Sequence, residues 1–150
     1  MYSTIVSTVV AAERPVVYWA LLDPAAVAAW RVPDGMRGEV HELDARVGGR
    51  IRISLTYDDP ARAGKSDGAT DTYSGRFLEL AEGERVVELV AFEADDPDLA
   101  GVITMTTTLR DVDGGTEVEL RMDGMPDVVP PADNEAGARM ALGKPARLVG

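Results

Sequence analysis

The chain contains no cysteine and a single histidine, His41. Disulfides, thiolate zinc sites, iron–sulfur clusters and a cysteine nucleophile are therefore excluded, and an imidazole-rich metal site lacks ligands. Aromatic residues make up only 5% of the 150 residues, so each one present weighs on the shape of the interior. Basic residues are also scarce. Fifteen Lys and Arg stand against 26 Asp and Glu, and the net charge of -11 repels a nucleic-acid backbone or an anionic lipid face. No stretch approaches the ~20 consecutive apolar residues that span a bilayer. The start Met1-Tyr2-Ser3-Thr4 has neither the basic residues nor the apolar run of a secretion signal. The expectation is a cytoplasmic protein with no nucleic-acid partner and no membrane insertion. What is present is a 45% share of hydrophobic residues, enough for one core, so residues 1–150 read as a single domain.

Ser3 to Val10 is rich in β-branched residues and predicts a strand ending at Glu13-Arg14. Pro15 suits the first turn of a helix through Val16–Leu22, and Asp23-Pro24 stops it and starts a second helix over Ala25–Trp30. Val32-Pro33-Asp34-Gly35 is turn punctuation. From Arg37 to Leu120 strand-length runs repeat between turn signals, as in an antiparallel meander. Arg50–Tyr57 alternates cleanly and places Ile51, Ile53, Leu55 and Tyr57 on one face. Asp71–Leu80, Arg85–Phe92, Val102–Leu109 and Thr116–Met122 supply further strands, for about seven in all. Asp58 to Thr70 reads as a solvated hairpin loop or, as the less common case, a mobile rim or gate. The tail from Ala132 to Val149 has helical spacing at Ala136, Met140, Ala141 and Leu148, although Gly143 and Pro145 predict a kink or an end near Leu142.

This order predicts an α+β domain in which a closing helix shields one face of a curved antiparallel sheet. A bent sheet cannot press flat against a straight helix, and the space between them is the expected ligand cavity. Trp30, Tyr57, Tyr73, Phe77, Phe92, Met105, Thr107, Met122 and Met140 are the candidates to line it, either as walls or as core packing. Tyr57 and Thr107 share the apolar parity of their strands, whereas Thr104, Thr106 and Thr108 take the opposite parity and face water. Arg52 and Glu88 become buried ion-pair members only if strand parity is reversed.

Acid–base candidates are His41, Tyr57 and Tyr73. His41 reads first as an exposed structural histidine, since no Ser or Asp at meaningful spacing marks a triad. Asp111–Glu117 lacks the ligand spacing of a calcium loop, and its Asp-Gly-Gly is hairpin chemistry. Gly48-Gly49 leads into a strand and marks a bulge or sharp turn, not a phosphate loop. No cofactor or metal is called for.

Val17-Tyr18-Trp19-Ala20-Leu21-Leu22-Asp23-Pro24 followed by Trp30 resembles the SRPBCC superfamily, in particular its branch related to the heat-shock-protein ATPase activator. Asp44-Ala45-Arg46-Val47-Gly48-Gly49-Arg50-Ile51 is similar to the branch's Gly-Gly turn, and Gly75-Arg76-Phe77-Leu78-Glu79-Leu80 to its next strand. Thr104–Leu109 with Gly114–Val118 resembles its last hairpin. The last helix departs from the pattern, with Ala138-Arg139 after Gly137 where the branch commonly carries an aromatic. The resemblance implies the helix-grip (START-like) fold around a deep hydrophobic cavity. It also implies one of three functions: non-catalytic binding of a lipid, polyketide or aromatic metabolite; a polyketide cyclase or dehydratase working through acid–base residues; or modulation of a chaperone ATPase. A small hydrophobic molecule is the leading partner and a chaperone the least favoured, while the sequence leaves a homodimer open.

Overall fold

The computed structural model describes residues 1–59, 61, 62, 64, 66 and 68–143. Strand β1 (Tyr2–Val10) leads into helices α1 (Arg14–Leu22) and α2 (Pro24–Trp30). Strands β2 (Met36–Leu43), β3 (Arg50–Tyr57), β4 (Thr70–Ala81), β5 (Arg85–Phe92), β6 (Ile103–Val112) and β7 (Gly115–Met125) follow, and α3 (Pro131–Leu142) closes the described chain. A short 3-10 turn, Pro97–Leu99, interrupts the β5–β6 connection.

The two small helices are separated by one residue with two jobs. Asp23 ends α1, its backbone N–H bonding to the Trp19 carbonyl, and caps α2, its carboxylate accepting from the Ala26 N–H at 3.0 Å. Pro24, lacking an N–H, takes the first position of α2 at no hydrogen-bond cost. Trp30 then folds back and donates its indole N–H to the Ala20 carbonyl at 2.8 Å, locking α2 onto α1.

All seven strands form one curled antiparallel sheet in the order β1-β7-β6-β5-β4-β3-β2, so β1 and β2 are its edges. The architecture is the α+β helix-grip fold. Alternation decides the faces. Val6 and Val10, Ile51 and Ile53, Val86 and Val90, Ile103 and Leu109, and Val118 and Leu120 are buried on the inner face with Trp30, Val17 and Val27 from the helices. The outer face carries Arg52, Thr104, Thr106 and Thr108, half-buried in a polar lattice. Gly48 and Gly49 form the sharp turn expected between β2 and β3: Gly48 has φ +80, and a Cβ on Gly49 would lie 2.0 Å from the Asp44 carbonyl oxygen. That turn is tied to β4 by bonds from the Gly48 N–H to Phe77 (2.8 Å) and from the Phe77 N–H to Gly49 (3.0 Å), where β4 bulges between Phe77 and Glu79.

Helix α3 ends where Gly143 and Pro145 predict but differs from the sequence expectation in the face it presents. It ends at Leu142 with Gly143 at its cap, while Pro145 and Leu148 lie outside the described residues. Its inward side runs through Asn134, Ala138, Ala141 and Leu142, and Ala136 and Met140 point to solvent. Small residues on every side give this helix little apolar contrast, so spacing alone chose the wrong pair; Asn134 holds the register, donating to Thr4 on β1 at 2.8 Å. Gly137 brings the helix against Pro33 of the α2–β2 turn, so α3 reaches from one edge of the sheet towards the other.

Candidate functional site

On the inner face, cross-strand pairing sets Met122 beside Met105, Met105 beside Glu88, and Glu88 beside Phe77. A second row pairs Phe92 with Tyr73 and Tyr73 with Ile53. Three of the predicted wall residues thus lie in one line, interrupted by a carboxylate, and two more lie in the neighbouring row. Trp30, Tyr73, Phe77, Thr107 and Met122 are buried there, and Phe92 and Met105 are half-buried against them.

Glu88 was expected to face water, and it is instead only 3% exposed. The reason is the composition of β5. Val86 and Val90 occupy one parity and Val87, Leu89 and Ala91 the other, so alternation favours neither face, and the sheet buries the parity that carries Glu88. Its partner is Arg31, directly after α2, and not Arg52. Arg31 Nη1 donates to Glu88 Oε1 at 2.7 Å, and the two side chains keep 10% and 4% of their surface. Arg52 keeps its expected outward parity and pairs bidentately with Glu93 at 2.9 and 3.1 Å.

The guanidinium of Arg31 also lies 5.4 Å from the centroid of the Tyr73 ring, and its Nη2 donates to the Met105 sulfur at 3.3 Å. Burial alone lowers the pKa of Arg31, but the Glu88 carboxylate and Tyr73 more than offset this and hold it above its ordinary value. Burial pushes the Tyr73 hydroxyl up against the opposing pull of Arg31, with Glu88 adding to the rise. At neutral pH the inner face therefore offers a permanent cation, its carboxylate and a protonated phenol within an apolar lining. Sequence reasoning missed Arg31 altogether; an arginine directly after the buried Trp30 at a helix end was the only available signal.

The remaining candidates lie elsewhere. Tyr57 is half-buried at the end of β3, with the Arg62 guanidinium 4.3 Å over its ring. Met140 is 45% exposed on α3. His41 sits on the outer face at a bulge between Val40 and Glu42, where its Nε2 is 2.8 Å from Ser54 Oγ. Ser54 in turn is 2.7 Å from Thr72 Oγ1, and Glu39 Oε1 is 3.9 Å from His41 Nδ1. The histidine thus has a serine neighbour that linear spacing did not reveal. Ser54 is 7% exposed and engaged on both sides, which makes the row a cross-strand clasp.

Among the described residues, open concavities of about 420 Å³ lie beside Arg14 and Asp111 and on the outer face over Gly75 and Leu89, and neither is the expected cavity between sheet and α3. Among the described residues, no three His, Asp or Glu side chains are grouped to hold a metal ion, and no helix is long and apolar enough to cross a membrane.

Residues 11–148 match the family described as activator of Hsp90 ATPase homolog 1-like protein. The chain belongs to this family. Its structure is similar to that of protein CV1439 from Chromobacterium violaceum, with a TM-score of 0.86 and 33% identity over 98% of this chain and 96% of that one. The AHSA1-like protein from Aeromonas hydrophila shares the fold at a TM-score of 0.73 and 20% identity, covering 99% and 92% of the two chains. DynU16, a protein of the dynemicin biosynthetic locus, shares it at 0.69 and 19% identity, with 97% of this chain covering 46% of DynU16. No curated protein is similar to this chain. The AHSA1-like membership agrees with the resemblance carried by the Tyr18–Pro24 motif and the Gly48-Gly49 turn.

Proposed function

We propose that this AHSA1-like chain binds a small, largely hydrophobic molecule of the lipid, polyketide or aromatic class between the sheet and its helices, without transforming it. The observation that carries the reading is the Arg31–Glu88 pair, with 10% and 4% of side-chain surface exposed, set among Tyr73, Phe77, Met105 and Met122. A buried ion pair contributes little to stability compared with an apolar substitute of similar volume, so its place on the concave face is better accounted for by recognition than by folding. An apolar lining with a few convergent polar groups is the usual composition of a small-molecule site.

Native mass spectrometry of the purified protein, with solvent extraction of a denatured sample, tests this. A stoichiometric apolar compound, or saturable one-to-one uptake of a naphthyl fluorophore that is lost in Phe77→Arg, supports the binding reading. An empty protein that also fails to take up the fluorophore overturns it.

A second reading draws on Tyr73. A buried phenol beside a guanidinium and a carboxylate is suited to proton transfer in a cyclase- or dehydratase-like reaction, and DynU16, from a biosynthetic locus, shares the fold. Turnover of a polyketide substrate that disappears in Tyr73→Phe separates this reading from the first.

A further inference from the structure

The polar spot on the inner face contains both charges of an ion pair, and this constrains what can bind beside it. Glu88 occupies Arg31 through one carboxylate oxygen at 2.7 Å, while the second guanidinium nitrogen is turned to the Met105 sulfur at 3.3 Å. A thioether is a weak acceptor, so this is the partner an incoming oxygen displaces with gain. The Tyr73 hydroxyl accepts from the same guanidinium, whose carbon lies 5.4 Å from the Tyr73 ring centroid, and its own O–H adds a second donor at this place. Both groups present donors, and the one strong acceptor nearby, Glu88, is already engaged.

We propose that this site selects uncharged ligands whose polar end is a hydrogen-bond acceptor, such as a ketone, quinone or ester carbonyl, and discriminates against the corresponding carboxylate. The inference rests on the binding reading above and deepens it by naming the ligand class. A carbonyl oxygen replaces the sulfur on Arg31 and leaves the Arg31–Glu88 bond intact, so the desolvated region stays neutral. A carboxylate in the same position sets two anions around one guanidinium in a region of low polarity, and one of them then remains uncompensated. The surrounding protein, at a net charge of -11, adds to the penalty.

The test uses two probes with the same ring system, 2-acetylnaphthalene and 2-naphthoate, titrated calorimetrically into the full-length protein at neutral pH. The ketone is expected to bind roughly tenfold or more tightly than the carboxylate, a difference of about 1.4 kcal/mol or more. In Glu88→Gln, which removes the competing anion while keeping the shape, the preference narrows or reverses because Arg31 then lacks a counter-charge. Met105→Leu retains ketone binding, since the displaced sulfur is no longer needed. If neither probe binds the wild-type protein, the binding reading itself fails. If the carboxylate binds wild type as tightly as the ketone, that reading stands and the selection for neutral ligands is wrong. The wild-type comparison decides the matter even if Glu88→Gln does not fold.

Discussion

Arg31 and Glu88, 57 positions apart in sequence, meet at 2.7 Å beneath the inner face, and each is the principal charged partner of the other. Removing either member leaves a buried charge uncompensated. Glu88→Ala is expected to destabilise the protein by about 3–5 kcal/mol in chemical denaturation. The double replacement Arg31→Met with Glu88→Leu should recover most of that loss, because the pair's desolvation cost disappears with it. A double variant as unstable as the single one would show that the pair itself holds the fold.

Phe77 and its neighbour Leu78 separate interior from surface across one peptide bond. Phe77 is 2% exposed and Leu78 is 39% exposed. Phe77→Ala should cost about 3–5 kcal/mol through lost burial and the cavity left behind. Leu78→Ala, at the margin of solvent, should fall well below that, and comparison of denaturation midpoints at constant slope checks both.

Acid sensitivity should arise on the outer face. The Glu93 carboxyl is held below its ordinary value of 4.5 by hydrogen bonding from Arg52, against the opposing effect of burial, with Ser74, the Arg52 charge and His41 adding to the lowering. A carboxylate depressed in the folded state stabilises fully above its unfolded pKa, and this is lost as pH falls through the lower folded value. Stability should therefore decline from about pH 4.5 downward, and Arg52→Gln should flatten the decline. Because both side chains are more than a third exposed, the effect should shrink in high salt, as thermal melts across pH and ionic strength will show.

At the alkaline end the sign is the opposite. Tyr73, whose hydroxyl is raised above its ordinary value of 10.0 by burial, stays protonated in the folded protein when an unfolded chain would ionise. Its contribution is complete below that ordinary value and is lost as pH rises through the folded one. Burial raises Tyr2 and Tyr18 as well, so tyrosinate absorbance during an alkaline titration should show several late ionisations, one of which is missing in Tyr73→Phe.

Much of the fold could be read from residue patterns, for reasons that differ by element. β3 has one apolar parity, Ile51, Ile53 and Leu55 against Arg50, Arg52 and Ser54, so its faces were unambiguous. Asp23-Pro24 identified the break between α1 and α2 because one residue can end a helix and cap the next. β5 has two apolar parities, so alternation does not decide the face of Glu88. The orientation of His41 was undetermined because a bulge beside it resets the alternation of β2. Strand parity places Phe77, Met105 and Met122 in one inner row as expected, but it does not show the Arg31–Glu88 pair beside them. An ion pair between a helix end and a strand 57 residues later leaves no local periodicity to detect.

The pairing of β1 with β7 also has a consequence in time. Val10 lies opposite Thr116, so β1 gains its final neighbour only after more than a hundred further residues have been added to the growing chain. At bacterial or eukaryotic synthesis rates that wait is on the order of 5–20 s. Throughout it, Val6 and Val10, which end up buried, have no sheet to join. Closure of the grip by α3 through Asn134 and Thr4 comes later still, so the nascent chain must remain unaggregated with β1 unpaired until β7 and then α3 have emerged.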